Sequence, residues 1–538
     1  MNGDEVVAPA WDTPGATASE TITTDILIVG SGMGGGTLAY ALRESGLKIL
    51  IAERGERLPR EPENSSAVEV YVRHRYQNAD TWYDGKTGAA FKPGVYYYVG
   101  GNTKVYGACL PRFRESDFEE TQTADGVSPA WPFTYKDLEP FYSAAEHLYQ
   151  VRGEIGDDST EPPHSQPFPY PALQHEPAIA ELAESLKSQG LHPFRMATGM
   201  QLDSQHDREL CTMCDGAPCE AGHKSDAENR AIDPALVFRD VSLETGLRID
   251  RLVTDESGKR AIAALAVRKD GRLVRIEATT IVLAAGAVNS SVVLLRSVSE
   301  QHRYGLANSS GLVGRNYMVH DSTFVVAVDP RRRNNTQWQK TLGLNDWYES
   351  DPTGEFPLGN VQMLGKLAGP MLRMGARFAP IWLLDMVSKR TVDLYLTTED
   401  LPRKRNGVTL RDGRIEIFWT PTNMRAHDAL VRRMRRVLQK AGYPFVLTKR
   451  MGIETNSHQC GTAVAGNDPS SSVLDVTCRS HDVENLFIAD GSFFPSSAAL
   501  NPALTIAANA LRIAPTVASS TKSFLRADPA TADRWSEK

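Results

Sequence analysis

The chain has 538 residues and an ordinary globular composition, with 41% hydrophobic and 23% charged residues. A formal net charge of −7 and the lack of a long Lys/Arg run argue against a nucleic acid partner. No apolar stretch is long enough to span a bilayer, and six cysteines are too few for a disulfide scaffold. We expect a cytoplasmic protein of two or three domains, without a membrane partner and with an oligomeric state that the sequence leaves open.

Residues 1–22 predict a flexible tail, and the stretch "TTDILIVGSGMGGGTLAYALRESGLKILIAERG" after it predicts a βαβ unit. Gly30, Gly32 and Gly35 match the pattern G-x-G-x-x-G between an apolar run and a helical pattern. These glycines allow a tight turn, close approach of backbone N–H groups to a diphosphate, and close helix–strand packing, respectively. Glu53 ends the second apolar run, where a carboxylate can accept hydrogen bonds from a ribose. The unit predicts a dinucleotide site but does not choose between NAD and FAD.

A cysteine cluster follows in "CTMCDGAPCEAGH", with Cys211, Cys214, Cys219 and His223 in a C-x2-C-x4-C-x3-H spacing. Structural thiols or a disulfide, a zinc site and an iron–sulfur cluster are the three alternatives. No second C-x-x-C completes a four-thiolate site, so we favour the first alternative and expect no metal.

Later segments predict the remaining architecture. The run "IVLAAG" places Ala285 at a strand end beside the same cofactor, and "TFVVAV", "VDLYL" and "RIEIFW" predict an antiparallel sheet that roofs it. The Gly/Pro/Asn-rich region 331–359 is interpreted as a mobile loop over the entrance. Three histidines, His164, His175 and His320, are interpreted as surface or packing residues.

Two segments carry a family resemblance. "NLFIADGSFFPSSAALNPALTIAANALRIA" and "HQCGT" resemble the closing motifs of the glucose–methanol–choline oxidoreductases. "GGNTKVYGACLPRF" and the Asn-Pro-x-Leu-Thr that begins at Asn501 resemble the pyranose oxidases and bacterial glycoside 3-oxidases. The matching blocks cover about a third of the chain. The resemblance implies an FAD-dependent alcohol oxidase with an α/β fold: a Rossmann-type FAD-binding domain and a substrate domain with a mostly antiparallel sheet.

The resemblance also implies catalytic roles for His458 and Asn501. Flavin-dependent alcohol oxidation requires a group that takes the hydroxyl proton, and a neutral imidazole is suited to it. An Asn amide cannot act as a base but can orient the alcohol. Both residues are also substrate-binding candidates, together with Gln362 on a strand that follows the predicted loop.

The cofactor contacts that we predict lie in four segments of the chain: Gly30, Gly32, Gly35 and Glu53; Gly100, Gly101, Asn102, Tyr106 and Gly107; Ala285; and Asp490, Gly491, Asn501, Pro502 and Thr505. Fungal pyranose oxidases resemble the second segment but tether the flavin through a histidine. Alignment of the segment ends puts Val105 at that position, so we expect FAD to be bound without a covalent link.

The predicted domains are discontinuous. Residues 23–118, 205–325 and 452–520 would form the FAD-binding domain, residues 119–204 and 326–451 the substrate domain, and residues 521–538 a C-terminal tail.

The leading functional hypothesis is oxidation of a secondary hydroxyl of a sugar or glycoside, at position 2 or 3, to a ketone. The flavin would be reoxidised by O2 to give hydrogen peroxide. The alternatives are a sugar dehydrogenase that passes electrons to a quinone or a protein, a steroid or other alcohol oxidase, and a non-enzymatic binder that reuses the fold.

Overall fold

The protein is described from a computed structural model that covers residues 10–12, 15–209, 211, 213–350, 356–373, 375–376, 378–454 and 458–527. Two large sheets dominate it, and a four-stranded sheet lies beside them. None of the helices in these ranges is long and apolar enough to span a membrane.

The first sheet, here called the Rossmann sheet, has a parallel centre with an antiparallel hairpin at one edge. The buried runs Ile26–Val29, Ile49–Ala52 and Ile281–Leu283 of its central strands are apolar throughout, as expected for strands covered on both faces. Its seven strands are Glu20–Val29, Ile49–Ala52, Val241–Glu244, Leu247–Thr254, Ala261–Arg268, Leu273–Leu283 and Leu486–Ile488.

The second sheet, here called the roof sheet, is antiparallel throughout. In spatial order its strands are Phe445–Arg450, Asp321–Val328, Thr391–Thr398, Asn360–Met363, Leu342–Leu344 and Phe194–Arg195. The helix Met424–Lys440 packs on one face through Leu430, Met434 and other apolar side chains spaced three or four residues apart. The four-stranded sheet consists of Gly407–Arg411, Arg414–Phe418, Trp82–Asp84 and Ala90–Phe91.

The other helices connect or cover these sheets. The α-helices are Met33–Leu42, Tyr135–Leu148, Pro177–Lys187, Gln205–Glu209, Asp233–Ala235, Ala287–Arg296, Gly369–Leu372, Ile381–Ser388 and Ala503–Ala527. Single turns of 3-10 or π-helix occur at Ala10–Asp12, Pro62–Ser65, Val68–Val72, Gly101–Lys104, Glu115–Phe118, Glu228–Ile232 and Gly491–Phe493. Two-stranded ribbons pair Thr121–Gln122 with Val127–Ser128, and Arg152–Gly153 with Tyr170–Pro171.

Four sequence-based assignments need correction. The run "RIEIFW", predicted for the antiparallel sheet over the cofactor, instead contains the strand Arg414–Phe418 of the four-stranded sheet. The first strand starts at Glu20, inside the predicted N-terminal tail, and Trp11 Nε1 donates to Ala266 O at 3.1 Å. The last helix continues to Ala527, so the chain is helical beyond the predicted start of the C-terminal tail at 521. The predicted mobile loop 331–359 contains the buried strand Leu342–Leu344, which pairs with Asn360–Met363 on one side and with Phe194–Arg195 on the other. Residues 351–355 of this predicted loop lie outside the described ranges.

Candidate active site

A cavity of about 1480 Å³ extends from the Gly-rich turn of the Rossmann sheet to the inner face of the roof sheet. It is lined at one end by Gly30 and Gly32 and at the other by His458 and Asn501. This continuity is what a site for a dinucleotide and a second, reacting molecule requires.

The glycine turn leaves space on the cavity side alone. A Cβ on Gly30, whose φ is +101°, would lie 2.5 Å from Ala284 O, and one on Gly35 would lie 2.0 Å from Gly30 O. A Cβ on Gly32 would meet nothing within 4 Å. Gly32 caps the helix Met33–Leu42, so its open side faces a helix N-terminus that favours negative charge. The turn therefore fits a diphosphate. Gly35 packs too closely on Gly30 to carry a side chain, as the motif predicts.

Glu53 lies beside this turn, at the end of the strand Ile49–Ala52. Its carboxylate accepts hydrogen bonds from Ser31 N at 3.1 Å, Ser31 Oγ at 2.6 Å and Gly55 N at 2.8 Å. Burial raises the pKa of Glu53, and these hydrogen bonds oppose that shift. The carboxylate lines the cavity, where it is placed to accept further hydrogen bonds.

The segment 100–107 forms the wall between the two ends of the cavity. A Cβ on Gly101 would lie 3.1 Å from Gly32 Cα, so this turn packs directly on the glycine turn. Asn102 Oδ1 accepts from Tyr96 N at 2.8 Å, and Tyr106 Oη donates to Ser225 O. The predicted contacts Gly101, Asn102, Tyr106 and Gly107 line the cavity, as does Val105.

Asp490 joins two of the predicted cofactor segments. Its carboxylate accepts from Gly286 N at 2.9 Å and from Ser492 N at 2.9 Å, and it lines the cavity with Ala285 and Gly491. Thr505, a predicted cofactor contact, does not line the cavity. Its side chain is buried in the core, where Oγ1 lies 2.7 Å from Tyr142 Oη. Pro502 lines the cavity.

Three predicted substrate contacts meet at the roof-sheet end. Gln362 Nε2 donates to Asn501 Oδ1 at 2.9 Å, and both residues line the cavity with His458. Gln362 Oε1 is buried and lacks a hydrogen-bond donor among the described residues. A buried acceptor without a donor is costly, so this atom suits a ligand hydroxyl.

His320 is the main residue that sequence reasoning missed. It is buried, with Nδ1 3.0 Å from His458 Nδ1 and Nε2 3.2 Å from Ser497 O. Burial lowers the pKa of His320 to about 4. The sequence-based interpretation as a surface or packing residue left out its contact with the candidate base His458. The one available signal is that His320 lies in "GLVGRNYMVHD", a segment that resembles the glucose–methanol–choline oxidoreductases more weakly than the closing motifs do.

His458 is neutral in this environment. Burial lowers its pKa well below the ordinary value, and the neighbouring His320 and Lys340 lower it further. The buried Lys340 forms an ion pair with the partly exposed Asp215, which also accepts from Gly365 N at 2.6 Å. Burial disfavours the charge on Lys340, but Asp215 outweighs it and raises the lysine pKa. Both partners line the cavity and were not predicted.

The cysteine cluster contains no disulfide: all six cysteines of the chain are free thiols. Cys211 Sγ lies 3.9 Å from His223 Nδ1, and burial raises the pKa of Cys211 to about 12, which opposes thiolate formation. Within the ranges that the structure describes, no group of three His, Cys, Asp or Glu residues is arranged to hold a metal ion.

Comparison with known proteins gives a consistent assignment. The two family models described as GMC oxidoreductase match residues 85–322 and 402–510, and a Rossmann-like NAD(P)-binding model matches residues 28–60. The chain is 30% identical to 6'''-hydroxyparomomycin C oxidase of Streptomyces lividus, over 92% of this chain and 91% of that protein. It is 29% identical to paromamine 6'-oxidase of Streptomyces fradiae (94% and 93% covered) and 25% identical to the fructose dehydrogenase large subunit of Gluconobacter japonicus (94% and 99%).

Solved structures share the fold. Pyridoxine 4-oxidase from Mesorbium loti superposes with a TM-score of 0.64 at 19% identity, covering 92% of this chain and 99% of that one. A formate oxidase superposes with a TM-score of 0.66 at 16% identity, covering 94% and 100%. With the family matches and the full-length relatives, these findings show that the chain belongs to the GMC oxidoreductase family.

Proposed function

We propose that this protein oxidises a hydroxyl group of a sugar or glycoside, with FAD as hydride acceptor and O2 as the final oxidant. The observation that carries the proposal is that a neutral His458 lines the same cavity as the dinucleotide cradle and the Gln362–Asn501 amide pair. Relatives named as aminoglycoside oxidases and a fructose dehydrogenase support a sugar-like substrate.

FAD is the cofactor of this family, and the cradle fits it. The glycine turn with the Met33–Leu42 helix would hold the diphosphate, and Glu53 would accept from the ribose. When bound, FAD supplies an acceptor for the hydride that leaves the carbinol carbon. All other chemistry falls to side chains of the chain.

The hydrogen-bond chain from Ser497 assigns the proton on His458. A carbonyl oxygen can only accept, so His320 Nε2 carries a proton and donates to Ser497 O. Neutral His320 then has its lone pair on Nδ1 and accepts from His458 Nδ1–H. His458 therefore keeps its lone pair on Nε2, the nitrogen that takes the substrate proton.

The amide pair orients the alcohol. Asn501 Oδ1 is occupied by the Gln362 amide, so Asn501 offers its N–H groups to the substrate oxygen. Gln362 Oε1 is left to accept from a neighbouring hydroxyl. A substrate with adjacent hydroxyl groups, as in a sugar, would satisfy both, which favours a secondary hydroxyl at position 2 or 3. The name of paromamine 6'-oxidase makes a 6' hydroxyl the competing position.

The test is a substrate screen on the purified holoenzyme with glucose, methyl glucosides, paromamine and a sterol. Peroxide detection is run beside reduction of a soluble quinone for each compound. Peroxide from a sugar or glycoside supports the proposal, and turnover with quinone alone identifies the alternative, a dehydrogenase like the fructose-oxidising relative. Failure of every sugar to bleach the flavin anaerobically would reject both.

Replacement of His320 tests whether this residue holds the proton of His458 on Nδ1. We expect His320→Ala to slow anaerobic flavin reduction by about 10- to 100-fold, because His458 can then place its proton on the catalytic nitrogen. His320→Gln should recover much of the rate, since its amide can accept from His458 and donate to Ser497. Equal rates in both variants and a pH profile unchanged from wild type would show that His320 only fills space.

Acid precipitation tests the flavin linkage. Val105 lines the cavity wall and has no nucleophilic atom, so we expect the yellow colour to remain in the supernatant after acid denaturation. A flavin-labelled peptide in the pellet would contradict this prediction and point to a tether elsewhere in the cavity.

A further inference from the structure

The helix Ile381–Ser388, at the cavity wall, exposes three large apolar side chains. In Ile381–Ser388, Leu384 and Val387 line the cavity, while Trp382 is 64% exposed and Met386 48% exposed. Leu383 is also exposed, and Phe378, just before the helix, is fully exposed. We call Phe378, Trp382, Leu383 and Met386 the apolar ridge. A contiguous apolar surface of this kind marks an interaction site.

The edge of the roof sheet continues this surface. Phe445 and Leu447 of the edge strand are exposed, and Phe445 pairs with Val328. Asp329, the residue after Val328, donates its N–H to Arg390 O at 3.1 Å. Arg390 lies two residues beyond the end of the helix Ile381–Ser388. The sheet edge and the helix therefore meet at one end of the sheet.

A cluster of positive charge lies at the same place. Asn334 N donates to Lys389 O at 2.8 Å, which holds the segment 331–333 against the end of the helix. We call the five basic residues here, Arg331, Arg332, Arg333, Lys389 and Arg390, the basic cluster; the carboxylate of Asp329 pairs with Arg331 and Arg332. The acid on the helix, Asp385, is engaged by Gly369 N at 3.0 Å. The five basic residues outnumber these two carboxylates, so this surface is positive on a chain of net charge −7.

We propose that the apolar ridge and the basic cluster dock this protein on an anionic lipid surface. Aromatic and aliphatic side chains beside Lys and Arg are the chemistry that lies in a membrane interface, with the charges on the phosphates. A symmetric dimer through the same surface would bring two basic clusters together, which disfavours a second copy. Docking differs from spanning, so this proposal replaces the expectation that no membrane is a partner. The inner face of the docked helix is the cavity wall at Leu384 and Val387.

Vesicle co-sedimentation of the holoenzyme tests the proposal. We expect binding to phosphatidylglycerol/phosphatidylcholine vesicles that weakens with salt, and little binding to phosphatidylcholine alone. Reversal of Arg333 and Lys389 together to Glu should lower the partition coefficient at least about 25-fold, since each basic residue near the surface contributes roughly five-fold. Trp382→Ser should lower it roughly ten-fold through lost apolar burial.

Matched controls come from exposed residues elsewhere. Arg239→Glu reverses one exposed positive charge and is compared with Lys389→Glu alone, and Tyr304→Ser removes an aromatic ring that is 83% exposed; both controls should bind as wild type does. Flavin absorbance confirms that each variant is folded. Absence of anionic-vesicle binding, or equal losses in the controls, would overturn the proposal. So would a dimer in sedimentation velocity that Trp382→Ser dissociates without any vesicle binding, which would assign the ridge to a second copy.

Discussion

Replacement of His458 by Ala should lower the rate of flavin reduction by sugar about 10²- to 10⁴-fold, the usual contribution of a positioned base. The hydroxyl proton must leave as the hydride departs, and His458 is a neutral imidazole that lines the cavity. The FAD content should be unchanged, since the residue lies at the opposite end of the cavity from the glycine turn. Asn501→Ala should lose less, because it orients the alcohol without accepting its proton.

Anaerobic stopped-flow measurement isolates this step from reaction with O2. Because burial lowers the pKa of His458, the base is neutral above that pKa, so the wild-type rate should stay level through neutral pH and fall only in acid. In His458→Ala the rate should rise with pH as hydroxide or alkoxide substitutes for the base. His481→Ala, a histidine that bonds to Ser472 outside the cavity, serves as control. A His458→Ala rate within a few-fold of wild type would leave the histidine as a core residue.

Replacement of Gly32 by Val should yield a folded protein with little or no FAD. A side chain there meets no protein atom within 4 Å of its Cβ, so the fold can accept it. The side chain would instead fill the space through which backbone N–H groups approach the diphosphate. The ratio of flavin to protein absorbance, measured after purification and after addition of free FAD, checks this prediction.

Gly34 provides the contrasting variant. A Cβ on Gly34 would lie 1.5 Å from Ala489 O, so Gly34→Ala should destabilise the Rossmann sheet itself. Thermal melting should show Gly32→Val close to apo wild type and Gly34→Ala well below it. Gly32→Ala should be intermediate in FAD content. Full FAD occupancy in Gly32→Val would show that the turn does not hold the cofactor.

The amino-acid sequence by itself determined the parts of this protein that depend on neighbours along the chain. The glycine turn with Glu53 was recognisable because strand, turn and helix are consecutive and the turn requires glycine. The family, its FAD and the GMC-like fold followed from short contiguous motifs, and the comparisons confirm them. His458 and Asn501 were found in the same way, and their catalytic roles stay predictions.

Only the tertiary structure decided the contacts between distant segments. His320 and His458 are 138 residues apart and Lys340 and Asp215 are 125 apart, so no local pattern links them. The strand Leu342–Leu344 was taken for a loop because three residues carry too little periodicity, and its neighbours in the roof sheet alone fix it as a strand. The contact of Thr505 with Tyr142 was also beyond the sequence. The motif places Thr505 on a helix, but the elements that pack on this helix decide which of its faces meets the cavity.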